Sequence, residues 1–388
     1  MARACSKKKP HLSEVDIRLM FAASDRDADI LYATQFFAPD PFIYFQYRGQ
    51  SHMVMNDLEI DRARLQARVD QVLSLSQIQQ QLRQDGVRVF DTSAVLDKLF
   101  TQKNIHTVLV PYLFPAGLAW ELRRRGYHIQ IKPGTFLDER EIKQRNEIKE
   151  IERAQQAAEK GLQAAIDLIR ETQITSNGQL IHNGDKLTSE RVKYRINTVL
   201  LSHGYLATHT IVAGGLQGCD PHNEGHGPLP AHKPIILDIF PRSQKSGYWG
   251  DITRTIVRGR ATDKVKTIYD SVVKAQLQAL NQLQPGASGK KIHQSISTYF
   301  EQKGFSTGLQ HGRMEGFFHG TGHGVGLEIH EPPNIGSRTN SILRCGHVVT
   351  IEPGLYYSKV GGVRIEDLVL ITPKGYRNLT RFPKILEI

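Results

Sequence analysis

The chain has 388 residues, which is enough for a large core and more than one domain. Apolar residues make up 39% of it, and no run of about 18 apolar residues suggests a membrane span, so a soluble protein is expected. Lysine and arginine exceed aspartate and glutamate by 50 to 39, a formal charge of +11. The basic residues are mostly dispersed and accompany no zinc-finger, RRM or KH signature, so nucleic acid is not expected as the main partner.

The N-terminus and the cysteines indicate an intracellular protein. The first ten residues carry basic side chains without an apolar segment behind them, which does not resemble a secretory signal, so we expect a cytoplasmic location. Cys5, Cys219 and Cys345 are too scattered for a disulfide framework or a Cys-x-x-Cys zinc site. All three are expected to be ordinary reduced thiols.

Residues 1–137 are predicted to form a small α/β domain. Short apolar runs alternate with helical segments, and residues 62–82 carry apolar side chains at roughly helical spacing. The short apolar runs are residues 30–32, 42–45 and 107–110. Pro133 and Gly134 then punctuate the chain.

A second domain is predicted over residues 138–388. Apolar residues and alanines recur every three or four positions from Ile148 to Ala165, which predicts an amphipathic helix. The segments expected after it are a loop at 177–185, a helix from Thr188 to near Gly204, strands over 207–257, and amphipathic helices over 262–283 and 289–303.

Three histidines stand in a glycine-dense run, His319-Gly-Thr-Gly-His323-Gly-Val-Gly-Leu-Glu-Ile-His330. Glycine costs conformational entropy, so such a run is tolerated mainly where the backbone lies close to something. Imidazole is also the commonest side-chain metal ligand. The alternative is a mobile loop with chance histidines, but the carboxylates elsewhere in the sequence favour a metal site.

Two aspartates fall in predicted strands over residues 234–240 and 250–257. Asp238 stands on the face opposite the apolar side chains of its strand, and Asp251 shares a face with Thr253 in the other. Paired as a hairpin, the strands could set the two carboxylates side by side. Close carboxylates repel unless one is protonated or a cation lies between them. The alternative, for these strands taken alone, is two aspartates solvated on an exposed sheet face.

Two glutamates complete an oxygen-rich ligand set. Glu352 and Glu366 lie amid apolar residues in β-rich runs over 348–356 and 362–370, and a buried carboxylate must be paired or metal-bound. Together with the two aspartates and His323, they suit a dinuclear site for Mn²⁺, Co²⁺, Fe²⁺ or Zn²⁺ rather than a structural zinc site.

In this order, the motifs resemble those of the pita-bread metallopeptidases, specifically the Xaa-Pro aminopeptidase and prolidase group, which is related to creatinase. The resemblance runs from about Arg140 to the end of the chain, and is looser in the N-terminal domain, where it is clearest over residues 37–45. It implies an α/β (α+β) fold with two domains. These are a smaller creatinase-type N-terminal domain, residues 1–137, and a pita-bread catalytic domain, residues 138–388.

The resemblance also implies which residues hold metal. It makes Asp238 a ligand of one ion, His323 and Glu352 ligands of the other, and Asp251 and Glu366 bridges between them. The family's first motif usually has the form Asp-x-Gly, whereas here Phe240 takes the place of the glycine. This departure alters the rim of the site near one ion.

Further residues are implied to act on the substrate. Glu352 would be the general base, His222 would contact the scissile amide and its leaving nitrogen, and His330 would stabilise the tetrahedral intermediate. His319 would line the pocket, and Arg364 matches a basic residue near the site, so both are expected to bind substrate together with His222 and His330.

The function implied by the resemblance is hydrolysis of an Xaa-Pro bond, at the N-terminus of peptides or in dipeptides, by a hydroxide bridging two divalent ions. Mn²⁺ is the first choice of ion, with Co²⁺, Zn²⁺ or Fe²⁺ as alternatives. The partners implied are a peptide with proline at its second position and a second copy of the chain in a homodimer. Two alternatives stay open: a creatinase-like C–N hydrolase and a non-catalytic binding module of the same fold. The presence of all five ligands favours the metallopeptidase.

Overall fold

The computed structural model describes residues 15–310 and 312–388, and the chain separates into two compact units, Met1–Asp138 and Glu139–Ile388. Cys5 lies outside the described residues, whereas Cys219 and Cys345 are both free thiols. None of the helices in the described part of the chain combines the length and the apolar character that a membrane span requires.

The first unit is built on a six-stranded mixed sheet of order β4-β3-β2-β1-β5-β6. Its elements are β1 (Ile17–Ala22), α1 (Ala28–Thr34), β2 (Phe42–Tyr47), β3 (Gln50–Met55), α2 (Ile60–Gln66), β4 (Gln71–Ser74), α3 (Leu75–Gln84), α4 (Thr92–Lys103), β5 (Thr107–Pro111), α5 (Ala116–Arg124) and β6 (His128–Lys132). Alternate strand residues enter two different cores, because successive side chains point to opposite faces. Leu19 packs with α3, α4 and α5, whereas Met20 packs with α1 and α2.

One expectation for this unit was wrong. The predicted helical stretch over residues 62–82 is interrupted, because β4 pairs in parallel with β3 in the middle of it. Helix α3 then begins after Ser74, whose side chain accepts a hydrogen bond from the Gln77 amide. The apolar run at residues 30–32 lies inside helix α1, whereas the other two runs form most of strands β2 and β5.

In the second unit, a pair of helices followed by antiparallel strands occurs twice. The first half contains α6 (Arg145–Arg170), β7 (Gln173–Ile174), β8 (Leu180–His182), β9 (Asp185–Lys186), α7 (Ser189–Ser202), β10 (Tyr205–Ala207), β11 (Ile211–Gly214), β12 (Pro234–Ile239), β13 (Pro241–Ser243) and β14 (Ile252–Val257). The second half contains α8 (Asp263–Leu280), α9 (Gly289–Gln302), β15 (Gly308–Gln310), β16 (Arg313–Glu315), β17 (Gly322–Gly324), β18 (Glu331–Ile335), β19 (Val348–Ile351), β20 (Gly354–Tyr357), β21 (Gly361–Arg364), β22 (Asp367–Thr372) and β23 (Gly375–Asn378).

Each helix pair covers its own sheet. Residues of α6 and α7 pack with Leu237 of β12 and Ile256 of β14, and residues of α8 and α9 pack with Val349 of β19 and Val369 of β22. The four predicted helices of this unit, three of them predicted as amphipathic, are therefore confirmed. The predicted loop at residues 177–185 was wrong in part, because β8 and β9 pair within it as a hairpin.

The strands that carry the predicted ligands are shorter than expected. In the antiparallel pair of β12 and β14, Asp238 lies opposite Thr253, and Asp251 precedes β14 instead of belonging to it. The two glutamate-bearing runs each divide into two strands, with Glu352 between β19 and β20 and Glu366 between β21 and β22. Both glutamates therefore lie where the chain passes from one sheet to another.

Candidate metal centre

All five predicted ligands line a single cavity of about 790 Å³ in the second unit. One ligand atom each from Asp251, His323 and Glu366 lies within 4.8 Å of the others. His323 Nε2 also lies 3.7 Å from Asp251 Oδ2 and 3.5 Å from Glu352 Oε1. The fold thus brings residues together that are more than 110 positions apart in the sequence.

Backbone hydrogen bonds fix the segments that bear the carboxylates. The Asp251 amide donates to Gln155 Oε1 of α6 at 2.8 Å. The Glu352 amide donates to the Thr321 carbonyl at 2.8 Å, and the Glu366 amide donates to the Thr253 carbonyl at 3.0 Å. Because these amides bond to neighbouring strands and helices, the carboxylates project from a rigid frame.

The glycine run brings His323 to the site by letting two strands approach closely. A Cβ atom on Gly322 would lie 1.9 Å from the carbonyl oxygen of Thr350, and one on Gly324 would lie 2.4 Å from that of Glu331. Any side chain at either position would clash with the neighbouring backbone. The glycines are therefore required by the chain's own packing around β17.

Arg364 was predicted to lie near the site, and it contacts the predicted ligand Asp238 directly. Its Nη2 donates to Asp238 Oδ2 at 2.6 Å, and its Nη1 donates to the Tyr356 hydroxyl at 3.0 Å. The same hydroxyl lies 2.8 Å from His319 Nε2. A chain of hydrogen bonds through the buried side chains of Tyr356 and Arg364 thus connects His319 in the cavity wall to Asp238.

The two remaining predicted histidines, His222 and His330, also line the cavity, as does Phe240. The ring of His330 lies 4.3 Å from that of His323, nearly perpendicular to it. His222 is exposed, and its backbone amide donates to Asp220 Oδ1 at 3.2 Å. Each histidine therefore faces the same space as the carboxylates.

Comparison with known proteins agrees with this arrangement. The sequence profile described as metallopeptidase family M24 matches residues 149–373. The chain belongs to metallopeptidase family M24. A relative in Pyrococcus horikoshii, an Xaa-Pro dipeptidase, is 34% identical over 272 residues, which are 69% of this chain and 71% of the relative.

Solved structures of a prolidase and of an Xaa-Pro dipeptidase share the fold along nearly the whole chain. The crystal structure of the prolidase from Pyrococcus horikoshii OT3 has a TM-score of 0.76 at 26% identity and covers 96% of both chains. The Xaa-Pro dipeptidase from Bacillus anthracis has a TM-score of 0.78 at 25% identity, over 96% of this chain and 95% of that one. The predicted family, the metallopeptidase activity and the fold, an N-terminal α/β domain followed by a pita-bread catalytic domain, are confirmed.

The charges of the site fit the divalent ions that the M24 family implies. Burial raises the pKa of Asp251 well above its usual value, and the carboxylates of Glu366 and Asp238 raise it further. Burial also raises the pKa of Glu366 to about 7, with Asp238 adding to the effect. Asp238 Oδ1 is buried and has no hydrogen-bond partner among the described residues. Such a cluster is stabilised by cations between the carboxylates.

Two histidines of the cavity, His323 and His319, are neutral around pH 7. Burial, and then the neighbouring His330, lowers the pKa of His323 to about 3. Burial, and then Arg364, lowers the pKa of His319 to about 3. A neutral imidazole has the free lone pair that a metal ligand needs, so His323 suits the donor set.

Sequence reasoning missed Gln155 and Tyr356 as parts of the site. Gln155 is fully buried, and it lies four residues after Ile151 on the apolar face of α6. A polar residue at a core position of an amphipathic helix was the available signal. Tyr356 gave no comparable signal, because a tyrosine in an apolar strand is typical of ordinary packing.

Proposed function

We propose that this M24 peptidase removes the N-terminal residue of peptides whose second residue is proline, with two divalent ions in its site, Mn²⁺ foremost. The observation that carries the proposal is the convergence of four carboxylates and one imidazole in one cavity. The named relatives, an Xaa-Pro dipeptidase and a prolidase, support the choice of proline.

Asp238 would hold one ion, His323 and Glu352 the other, and Asp251 and Glu366 both. When bound, the ions supply Lewis acidity, which polarises a carbonyl and lowers the pKa of water. Thr253 Oγ1 donates to Glu366 Oε2 at 2.9 Å, and this bond keeps one carboxylate oxygen oriented.

The protein's own groups would move the protons. Glu352 would accept a proton from the attacking water, and His330 would donate a hydrogen bond to the carbonyl oxygen as it becomes tetrahedral. A prolyl amide has no N–H, so a site that depends on that donor would fail with it. His222, exposed on the same cavity, would deliver a proton to the departing imino nitrogen.

His319 and Arg364 would form the wall against which the substrate lies. The Tyr356 hydroxyl joins their side chains, so the wall is held by hydrogen bonds on both sides. Phe240 and Phe318 add apolar surface to the same cavity, which suits the ring of proline. The cytoplasmic location and the homodimer remain predictions from the sequence.

Mass-spectrometric digests of matched substrates test the proposal. Metal-loaded protein is incubated with Xaa-Pro dipeptides, Xaa-Pro-Xaa tripeptides, the corresponding Xaa-Ala peptides, and creatine. We expect release of the first residue from the proline peptides. Equal cleavage of the Xaa-Ala peptides would refute the preference for proline, and turnover of creatine alone would favour the C–N hydrolase.

A further inference from the structure

We infer that Gln276 of helix α8 is a positioning residue that fixes the spacing of Glu352 and Glu366. The inference rests on the proposed ligand set. Gln276 has a polar side chain, yet it is only 1% exposed. It lies on the face of α8 that packs into the core, four residues after Val272. Its amide nitrogen donates to the Ile351 carbonyl at 2.8 Å and lies 3.3 Å from the Ile365 carbonyl, to which it also donates.

Each of these carbonyls belongs to the residue directly before a glutamate. Ile351 ends strand β19 and precedes Glu352, whereas Ile365 follows strand β21 and precedes Glu366. A glutamine amide carries two N–H groups, so one side chain can bond both carbonyls at once. Gln276 therefore links the two ligand-bearing segments through a single buried group.

The electrostatics of the two glutamates give this link its purpose. The side chains of Glu352 and Glu366 line the same cavity, together with Asp238 and Asp251. Close carboxylates repel each other unless a cation lies between them, and this repulsion pushes the two segments apart. Hydrogen bonds from Gln276 to the adjoining backbone oppose the separation and keep the ligands at the spacing that a metal needs.

Helix α6 provides a parallel arrangement in the other half of the unit. Gln155 Oε1 accepts from the Asp251 amide at 2.8 Å, and Gln155 Nε2 donates to Thr380 Oγ1 at 2.9 Å. That hydroxyl in turn accepts from the Leu368 amide at 2.8 Å. The first helix of each half thus places one buried glutamine in contact with the backbone of segments that bear predicted ligands.

The substitution Gln276→Met tests the role, because methionine keeps the length of the side chain and removes both donors. Metal-free protein is titrated with Mn²⁺ and with Co²⁺ by isothermal calorimetry. We expect the affinity to fall by about 10- to 100-fold, the usual effect of losing a group that supports a metal ligand. Activity at saturating metal should recover in part, because the ligands themselves are intact.

Two control variants separate positioning from general stability. Val272→Ala opens the same core one turn earlier on α8 without touching either carbonyl. Gln282→Met removes an amide that bonds the Gln278 carbonyl and Ser295 Oγ, away from the ligands. Both should bind metal like the wild type, even where they lower the melting temperature.

The outcomes distinguish this inference from the proposed function. If the wild type binds no divalent ion, the ligand set itself is wrong. If the wild type binds metal and Gln276→Met binds it equally well, or if Val272→Ala loses as much affinity, the positioning role is refuted. Should Gln276→Met not fold, Gln276→Asn takes its place, because it keeps the amide but shortens its reach by one methylene. The same loss of affinity is then expected, and unchanged affinity would overturn the inference.

Discussion

Removing the carboxylate of Glu331 should destabilise the C-terminal unit far more than removing that of Glu328. Arg140 Nη2 donates to Glu331 Oε2 and to Glu328 Oε2, at 2.8 Å in each case. The side chain of Glu331 is 3% exposed, and Lys143, itself 1% exposed, donates to its other oxygen. Glu328 is 53% exposed. The two glutamates thus share one arginine and differ in burial.

The difference in burial sets the expected magnitudes. Glu331→Ala leaves the buried ammonium of Lys143 without its counter-charge, and breaking a buried ion pair in this way costs about 3–5 kcal/mol. Exposed pairs contribute about 0–1 kcal/mol, which bounds the effect of Glu328→Ala. Glu331 Oε2 also accepts from the Glu328 amide at 3.2 Å, so the loop before His330 loses a hydrogen bond as well.

Urea unfolding, monitored by tryptophan fluorescence, measures the free energy of unfolding of the second unit in both variants. The chain has two tryptophans, Trp120 in the first unit and Trp249 in the second. Trp249 Nε1 donates to the Leu327 carbonyl at 3.0 Å, so it reports directly on the loop. The variants are made in a Trp120→Phe background, which leaves Trp249 as the sole signal. Trp120 is 58% exposed, so this background change should be mild.

A free energy of unfolding for Glu331→Ala within about 1 kcal/mol of the parent would refute the reasoning, because the ion pair would then be worth no more than an exposed one. Equal losses in Glu328→Ala and Glu331→Ala would refute it too. In that case the shared contact with Arg140, and not burial, would account for the effect.

Three further results are expected. In metal-free protein the raised pKa of Glu366 contributes stability that is fully present below the ordinary pKa of 4.5 and is lost as the pH rises through about 7. Thermal melts of chelated protein at a series of pH values should show this loss of stability. Added divalent metal should abolish the loss. His330→Ala should lower kcat by about 100-fold with metal content unchanged, whereas Glu352→Ala should lose metal, as elemental analysis will decide. Exposed Asp220 and Glu224 line the cavity, so they should repel the C-terminal carboxylate of a free Xaa-Pro dipeptide. An Xaa-Pro amide avoids about 1 kcal/mol of this repulsion and should be cleaved with a kcat/KM roughly fivefold above that of the free dipeptide. A preference for the free dipeptide would contradict this expectation.

The sequence by itself determined the long helices, and it pointed to residues that line one cavity in the structure. Helices α6 to α9 follow from signals within a few residues, namely apolar spacing and capping side chains such as Thr188, which accepts from the Arg191 amide. The motif around His319, His323 and His330 likewise lies in one short stretch, and so the resemblance to a metallopeptidase could be recognised before any fold was known.

Only the tertiary structure decided how those residues meet. Strand β4 interrupts the helical stretch over 62–82 because it pairs with β3, and pairing partners are not encoded locally. The bond of Arg364 to Asp238 spans 126 positions, and the bonds of Gln276 to Ile351 and Ile365 span 75 and 89. A buried glutamine in an amphipathic helix signals only that some polar partner exists, because the partner's identity depends on which strands the folded chain brings beneath it.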